Sequence, residues 1–119
     1  MTANDVQKLF MTEAEELLTE MEDALLSLEV DAESTELINQ LFRAMHTIKG
    51  AAGIFNYRAI VDFTHPIETS IDRLRKNELK IDSALIALLL KCKDHTWALV
   101  NAAVEEDEAE LNTLCIQSQ

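Results

Sequence analysis

Apolar residues recur at intervals of three and four along most of the chain, the spacing that gathers them on one stripe of a helix. In the first stretch, from a cap at Asn4 or Asp5 to about Leu28, the stripe is Leu9, Phe10, Leu17, Met21, Leu25 and Leu28. Glu13, Glu15, Glu16, Glu20 and Glu22 line its other sides as a solvated face. Val30 to Ser34 is a short loop, and Ser34 is placed to cap a second helix whose stripe is Leu37, Leu41, Ala44, Ile48 and Ala51; Asn56 ends that segment. A third pattern has Ile60, Phe63, Ile67, Ile71 and Leu74 on one side, with Arg73, Arg75 and Lys76 suited to its negative C-terminal end. Pro66 within it has no N–H to offer the carbonyl of Asp62, so the helix either kinks there or begins there.

Asp82 caps a fourth helix, with Ile81 and Ile86 spaced as a hydrophobic staple. Its pattern runs through Leu85, Leu88, Leu89, Cys92 and Leu99 to about Ala103, and Trp97 reads as a half-buried packing residue. Asp107 with Glu110 has the spacing of a capping box for a short last helix ending near Cys115. Short connections between amphipathic helices make antiparallel neighbours. The predicted fold is all-α: an antiparallel up-down four-helix bundle, core about 5–103, with a short additional C-terminal helix over about 107–115. One proline, two glycines and few β-branched runs agree with helices and not strands.

A chain of 119 residues makes one domain, large enough to fold without a disulfide or a metal. Its two cysteines, Cys92 and Cys115, are too few for a disulfide framework, and Cys92 can pack as a small hydrophobe. The longest apolar run, Ala84 to Leu90, falls far short of the roughly 18 residues that span a bilayer, and no basic, apolar leader is evident. A soluble, cytoplasmic protein without membrane insertion is expected. The net charge of −12 argues against nucleic acid and anionic lipid as partners.

Helical rotation gives the second helix a face of its own. Counting 100° per residue from His46 sets Phe42, Lys49, Gly50 and Gly53 within about 60° of it, opposite the apolar stripe. Both glycines of the chain therefore fall beside an outward-facing histidine. Each costs roughly 0.5–1 kcal/mol against alanine inside a helix. What glycine leaves in return is bare helix surface, on which another molecule's backbone can approach the imidazole. The alternative is that Gly53 ends the helix as a C′ residue.

His65 and Glu68 lie one turn apart on the third helix, roughly 80–140° round from the centre of its apolar stripe. If that helix packs beside the second, Glu68 can accept a hydrogen bond from one ring nitrogen of His46. The other nitrogen is then held in a fixed direction as a nucleophile. Lys49, one turn beyond His46, can set an ammonium near an anion that the histidine carries. These groups have the makings of a phosphate acceptor with a charge partner.

The stretch His46-Thr-Ile-Lys49-Gly50-Ala-Ala-Gly53, preceded by Leu41-Phe42-Arg43, resembles the signature of histidine phosphotransfer domains. Phe10-Met-Thr-Glu13-Ala-Glu15-Glu16-Leu17 and His65-x-x-Glu68 narrow the resemblance to the N-terminal phosphotransfer domain of CheA-type chemotaxis kinases. It covers about residues 5 to 103. The resemblance implies that His46 takes a phosphoryl group from the catalytic domain of a histidine kinase and passes it to an aspartate of a response-regulator receiver. It also implies phosphorylation on Nε2, a Glu68 that holds Nδ1–H, and Lys49 and His65 completing the polar cluster. Phe42, Arg43, Gly50 and Gly53 would form the docking surface. No cofactor belongs to the domain itself, since ATP and magnesium would bind the partner kinase domain, and no dimer is required. The chain is expected to be either a domain excised from such a kinase or a free-standing phosphorelay protein.

Two readings from other classes compete. His65-x-x-Glu68 is a reversed version of the Glu-x-x-His pair that di-iron bundles use, and Cys92-x-x-His95 could add two zinc ligands, although no second cysteine pair accompanies them. Alternatively the chain is an inert interaction bundle with His46 an ordinary surface residue, in which case both glycines are costs without return.

Overall fold

The computed structural model describes residues 3–117, with side chains described over 5–114. Four helices follow one another: α1 (Ala3–Leu28), α2 (Thr35–Ile54), α3 (Arg58–Arg75) and α4 (Ser83–Gln117). Each packs against its neighbours in a ring, α1 on α2 and α4, α3 on α2 and α4, and among the described residues the backbones of diagonal helices do not approach closely. That is the up-down bundle the patterning predicts. Among the described residues no helix is long and apolar enough to cross a membrane.

The stripes close on one core in which Met21, Leu25, Leu28, Leu41, Met45, Ile48, Ile60, Ile71 and Val100 are fully buried. The expected stripes are displaced in places by a fraction of a turn. Leu9 and Leu88 are each 55% exposed, while Leu18, Ile38, Met45 and Ala52 take buried positions next to the half-buried Leu17, Leu37 and Ala51. A helix packed between two neighbours buries an arc wider than one row, so adjacent positions share the core. Trp97 and Cys92 are half-buried against it, and burial pushes the Cys92 thiol up. The side chain of Cys115 lies outside the described residues.

Local chemistry sets the helix ends. The first described residue, Ala3, is already helical, so Asn4 and Asp5 lie within the first turn of α1 and do not cap it. Ser34 caps α2, its Oγ accepting from the N–H of Leu37 at 3.3 Å. Asp82 does the same for α4, accepting from Leu85 at 2.8 Å. Two asparagines close α2 and α3. Asn56, at φ 60°, lets Tyr57 N–H reach the carbonyl of Ala52 at 2.9 Å and its own N–H reach Gly53 at 3.1 Å. Asn77, at φ 59°, repeats the arrangement with Glu78 on Arg73 and itself on Leu74. Both are Schellman endings with asparagine in the left-handed position that glycine more often fills. Gly53 is thus not the C′ residue of α2, and neither glycine has a positive φ. Pro66 lies inside α3, exposed to solvent, and the helix runs on through it instead of beginning there.

The separate C-terminal helix expected over 107–115 does not exist. α4 is one helix of 35 residues, and at 1.5 Å per residue its length of about 52 Å accounts for most of the 58 Å long axis of a molecule only 21 Å across. No glycine or proline interrupts the sequence of α4. Asp107, instead of capping, points inward: its Oδ2 accepts from Tyr57 Oη at 2.7 Å and Gln7 Nε2 at 2.6 Å. The carboxylate ties the far end of α4 to the start of α1 and to the α2–α3 turn.

Candidate functional site

α2 and α3 run antiparallel, and the groups singled out in the sequence meet on the seam between them. Glu68 lies about 80° round α3 from the centre of its buried stripe, so it is only 8% exposed yet faces α2. Its oxygens are divided between two partners. Oε1 is 2.8 Å from His46 Nδ1 and Oε2 is 2.6 Å from Lys49 Nζ. Burial pushes the Glu68 carboxyl up, but the Lys49 ammonium beside it and the hydrogen bond with His46 together outweigh it and hold the group below the usual carboxylate range. The carboxylate is therefore ionised at neutral pH and can only accept. In the neutral imidazole Nδ1 must then carry the proton, which leaves the lone pair on Nε2, on the side of the ring away from Glu68. The imidazole is 63% exposed.

Lys49 differs from expectation in detail: its ammonium is committed to Glu68 and its side chain is 24% exposed. His65 is a correction. It lies 60° further round α3 from the core than Glu68, is exposed, and its ring makes no hydrogen bond or ion pair among the described residues. It does not join the cluster. Arg43 is exposed, and a Cβ added at Gly50 or Gly53 would meet no atom within 4 Å. The surface round the imidazole is as bare as the two glycines make it.

One member of this surface escaped the sequence. The Phe42 ring stacks on His46, with centroids 5.6 Å apart and planes within 11°, and the Arg75 guanidinium lies 4.1 Å from the Phe42 centroid. In the sequence Arg75 reads only as a basic residue suited to the end of its helix. The signal lay in the register: two turns back from Lys49 along α2 is Phe42, and two turns forward from Glu68 along the antiparallel α3 is Arg75. Pairing Lys49 with Glu68 therefore pairs Phe42 with Arg75.

No three His, Cys, Asp or Glu side chains converge as a metal site among the described residues. His95, the second residue of the Cys92 pair, packs edge-to-face with the Phe63 ring, centroids 4.6 Å apart.

Comparison with known proteins agrees with this geometry. The chemotaxis protein CheA of Rhizobium meliloti is 38% identical over 103 residues, which are 87% of this chain and 14% of that protein. The chain thus spans a small part of the relative's length. The CheA phosphotransferase domain from Thermotoga maritima superposes with a TM-score of 0.81 at 34% identity, over 87% of this chain and 99% of that one. A phosphorylated P1 domain of CheA3 in complex with CheY6 from R. sphaeroides has the same fold, with a TM-score of 0.81 at 23% identity over 87% and 81% of the two chains. The Hpt domain family itself matches residues 5–113. With four helices in this order, an outward histidine backed by a carboxylate, and a family match over nearly its whole length, the chain belongs to the Hpt domain family.

Proposed function

We propose that His46 is the phosphoryl carrier of a CheA-type phosphotransfer domain. The observation that carries this reading is the exposed imidazole bonded through Nδ1 to an ionised, buried carboxylate. In the first step the Nε2 lone pair attacks the γ-phosphorus of ATP held by a kinase catalytic domain. An N–P bond forms, the bond to the β,γ-bridging oxygen breaks, and ADP leaves with that electron pair. Glu68 keeps Nδ1–H in place and offsets the positive charge that builds on the ring. In the second step a receiver aspartate oxygen attacks the phosphorus, the N–P bond breaks, and the electron pair returns to Nε2. Both steps need a partner to reach the ring closely, and Phe42, Arg43, Gly50 and Gly53 offer the surface for it. The relatives support this, being CheA proteins, one of them phosphorylated and bound to CheY6.

The test is labelling by the ATP-binding domain of a CheA-type kinase with Mg-ATP, read by intact mass and by stability of the phosphate to acid and alkali. The chain should take up one acid-labile, alkali-stable phosphoryl group, and His46→Gln, still folded by its melting curve, should take up none. Labelling of the mutant at the wild-type level would remove His46 from the role.

A further inference from the structure

We propose that Arg75 is a positioning residue for the His46 imidazole, acting through Phe42. The inference rests on the phosphoryl-carrier reading of His46. One hydrogen bond, from Nδ1 to Glu68, fixes where the ring points but leaves it free to turn about that bond. On a side chain 63% exposed, little packing restrains the turn. The remaining restraint is the Phe42 ring, parallel to the imidazole within 11°. An in-line attack by Nε2 requires its lone pair, which lies in the ring plane, to be aimed at phosphorus, so the plane matters as much as the tether. Phe42 is itself half-buried on the seam, and the Arg75 guanidinium over its face at 4.1 Å holds it from the neighbouring helix. Arg75 in turn is steadied by Asp72 Oδ1 at 3.4 Å. The chain of contacts runs Asp72, Arg75, Phe42, His46, and it crosses from α3 to α2 two turns from the Glu68 bridge. The imidazole is thereby fixed at two points.

The bland reading of Arg75 is a cation at a helix C-terminus. Arg73 supplies the control: it occupies the same last turn of α3, but its partner is Glu78 at 3.9 Å and not the ring.

The experiment compares Arg75→Gln, Arg75→Lys, Arg73→Gln, Phe42→Leu and the double variant Arg75→Gln/Phe42→Leu in the full chain. Two quantities are read. The first is the set of His46 ring-proton shifts by NMR without any phosphoryl donor, in which stacking on Phe42 appears as a ring-current displacement. The second is kcat and KM for labelling by a CheA-type catalytic domain with Mg-ATP. Arg75→Gln should relax the ring-current displacement and lower kcat roughly two- to fivefold with KM unchanged, the scale of an exposed cation–π contact. Arg75→Lys should recover part of both, Arg73→Gln should change neither, and Arg75→Gln should add nothing once Phe42 is leucine. Ring shifts in Arg75→Gln that match those of Arg73→Gln would overturn the proposal. So would a raised KM that persists in the Phe42→Leu background, because Arg75 would then be touching the donor directly. If wild type takes no phosphate on His46, the carrier reading fails, while the ring shifts still decide whether Arg75 positions the imidazole.

Discussion

Glu68 joins His46 and Lys49 through one carboxylate, and its protonation state decides whether the seam between α2 and α3 holds. Its folded pKa lies below the ordinary carboxylate value, so ionised Glu68 stabilises the fold at pH above that ordinary value, and the contribution is lost as pH falls through the folded pKa. Glu68→Gln should therefore melt below wild type at pH 6–7 by about 1 kcal/mol, the net scale of a typical hydrogen bond. The gap should shrink as pH drops below the usual carboxylate range of about 4.3, and a gap independent of pH between 7 and 3 would contradict an ionised bridge. The same variant should slow labelling of His46 about tenfold, because the Nδ1–H loses its ionised acceptor. How this cluster could be read in advance depends on distance along the chain. His46 and Lys49 share one helix, so their common face follows from rotation alone, as does the three-residue step from His65 to Glu68. Which of His65 and Glu68 turns towards α2 is a 60° question that periodicity blurs; the structure gives the seam to Glu68 and leaves His65 exposed. Arg75 was missed because its contact depends on the register between two helices, which no single-helix pattern contains.

At the scale of the element, the division of labour between glycine and asparagine decides how α2 can work. Asn56 and Asn77 take the left-handed positions after α2 and α3, so Gly50 and Gly53 are left inside α2 with helical backbone and open space where a side chain would be. Alanine at either site should raise stability by up to about 1 kcal/mol. Gly50→Leu and Gly53→Leu should fold as well as wild type but slow transfer to a receiver, since a phosphoryl bridge draws the two surfaces within a few ångströms of each other. Thermal melts paired with transfer rates decide it, and undiminished transfer by well-folded leucine variants would show that partners do not approach over the glycines. The helix boundaries were legible where a cap is local, as at Ser34 and Asp82. They failed at Asp107, where the capping-box spacing is real but the carboxylate bonds to Tyr57 and Gln7, residues distant in sequence. Burial and the hydrogen bond to Asp107 both push the Tyr57 hydroxyl well up, which keeps it a donor. Asp107→Ala should cost about 1–2 kcal/mol by stranding both donors. It should also speed amide exchange over 105–114 more than over α2, and uniform exchange would mean that the tie does not hold the end of α4.

For the molecule as a whole, the net charge of −12 is unevenly spread. α1 sets Lys8 against Asp5, Glu13, Glu15, Glu16, Glu20, Glu22 and Asp23, and α4 sets Lys91 and Lys93 against Asp94, Glu105, Glu106, Asp107, Glu108 and Glu110. α2 and α3 hold Arg43, Lys49, Arg58, Arg73 and Arg75 against Glu36, Asp62, Glu68 and Asp72. The seam that carries His46 is thus close to neutral, and the negative charge lies mostly on the other two helices. Whether an anionic donor feels that charge depends on screening. The bundle is 21 Å across, while the Debye length is about 8 Å at 0.15 M salt and about 30 Å at 0.01 M. At the higher salt the far side is screened from His46, and at the lower it is not. Acetyl phosphate, a small anion with no docking surface of its own, isolates the effect from partner recognition. The double variant Glu15→Lys/Glu16→Lys, on the outer face of α1, should label His46 at nearly the wild-type rate at 0.15 M and about twofold or more faster at 0.01 M. Arg43→Glu, three residues from His46, should be slower at both salts, because its charge lies within a screening length of the ring. Were the α1 variant to change the rate at 0.15 M as much as Arg43→Glu does, the field at the site would belong to the whole molecule and not to the seam.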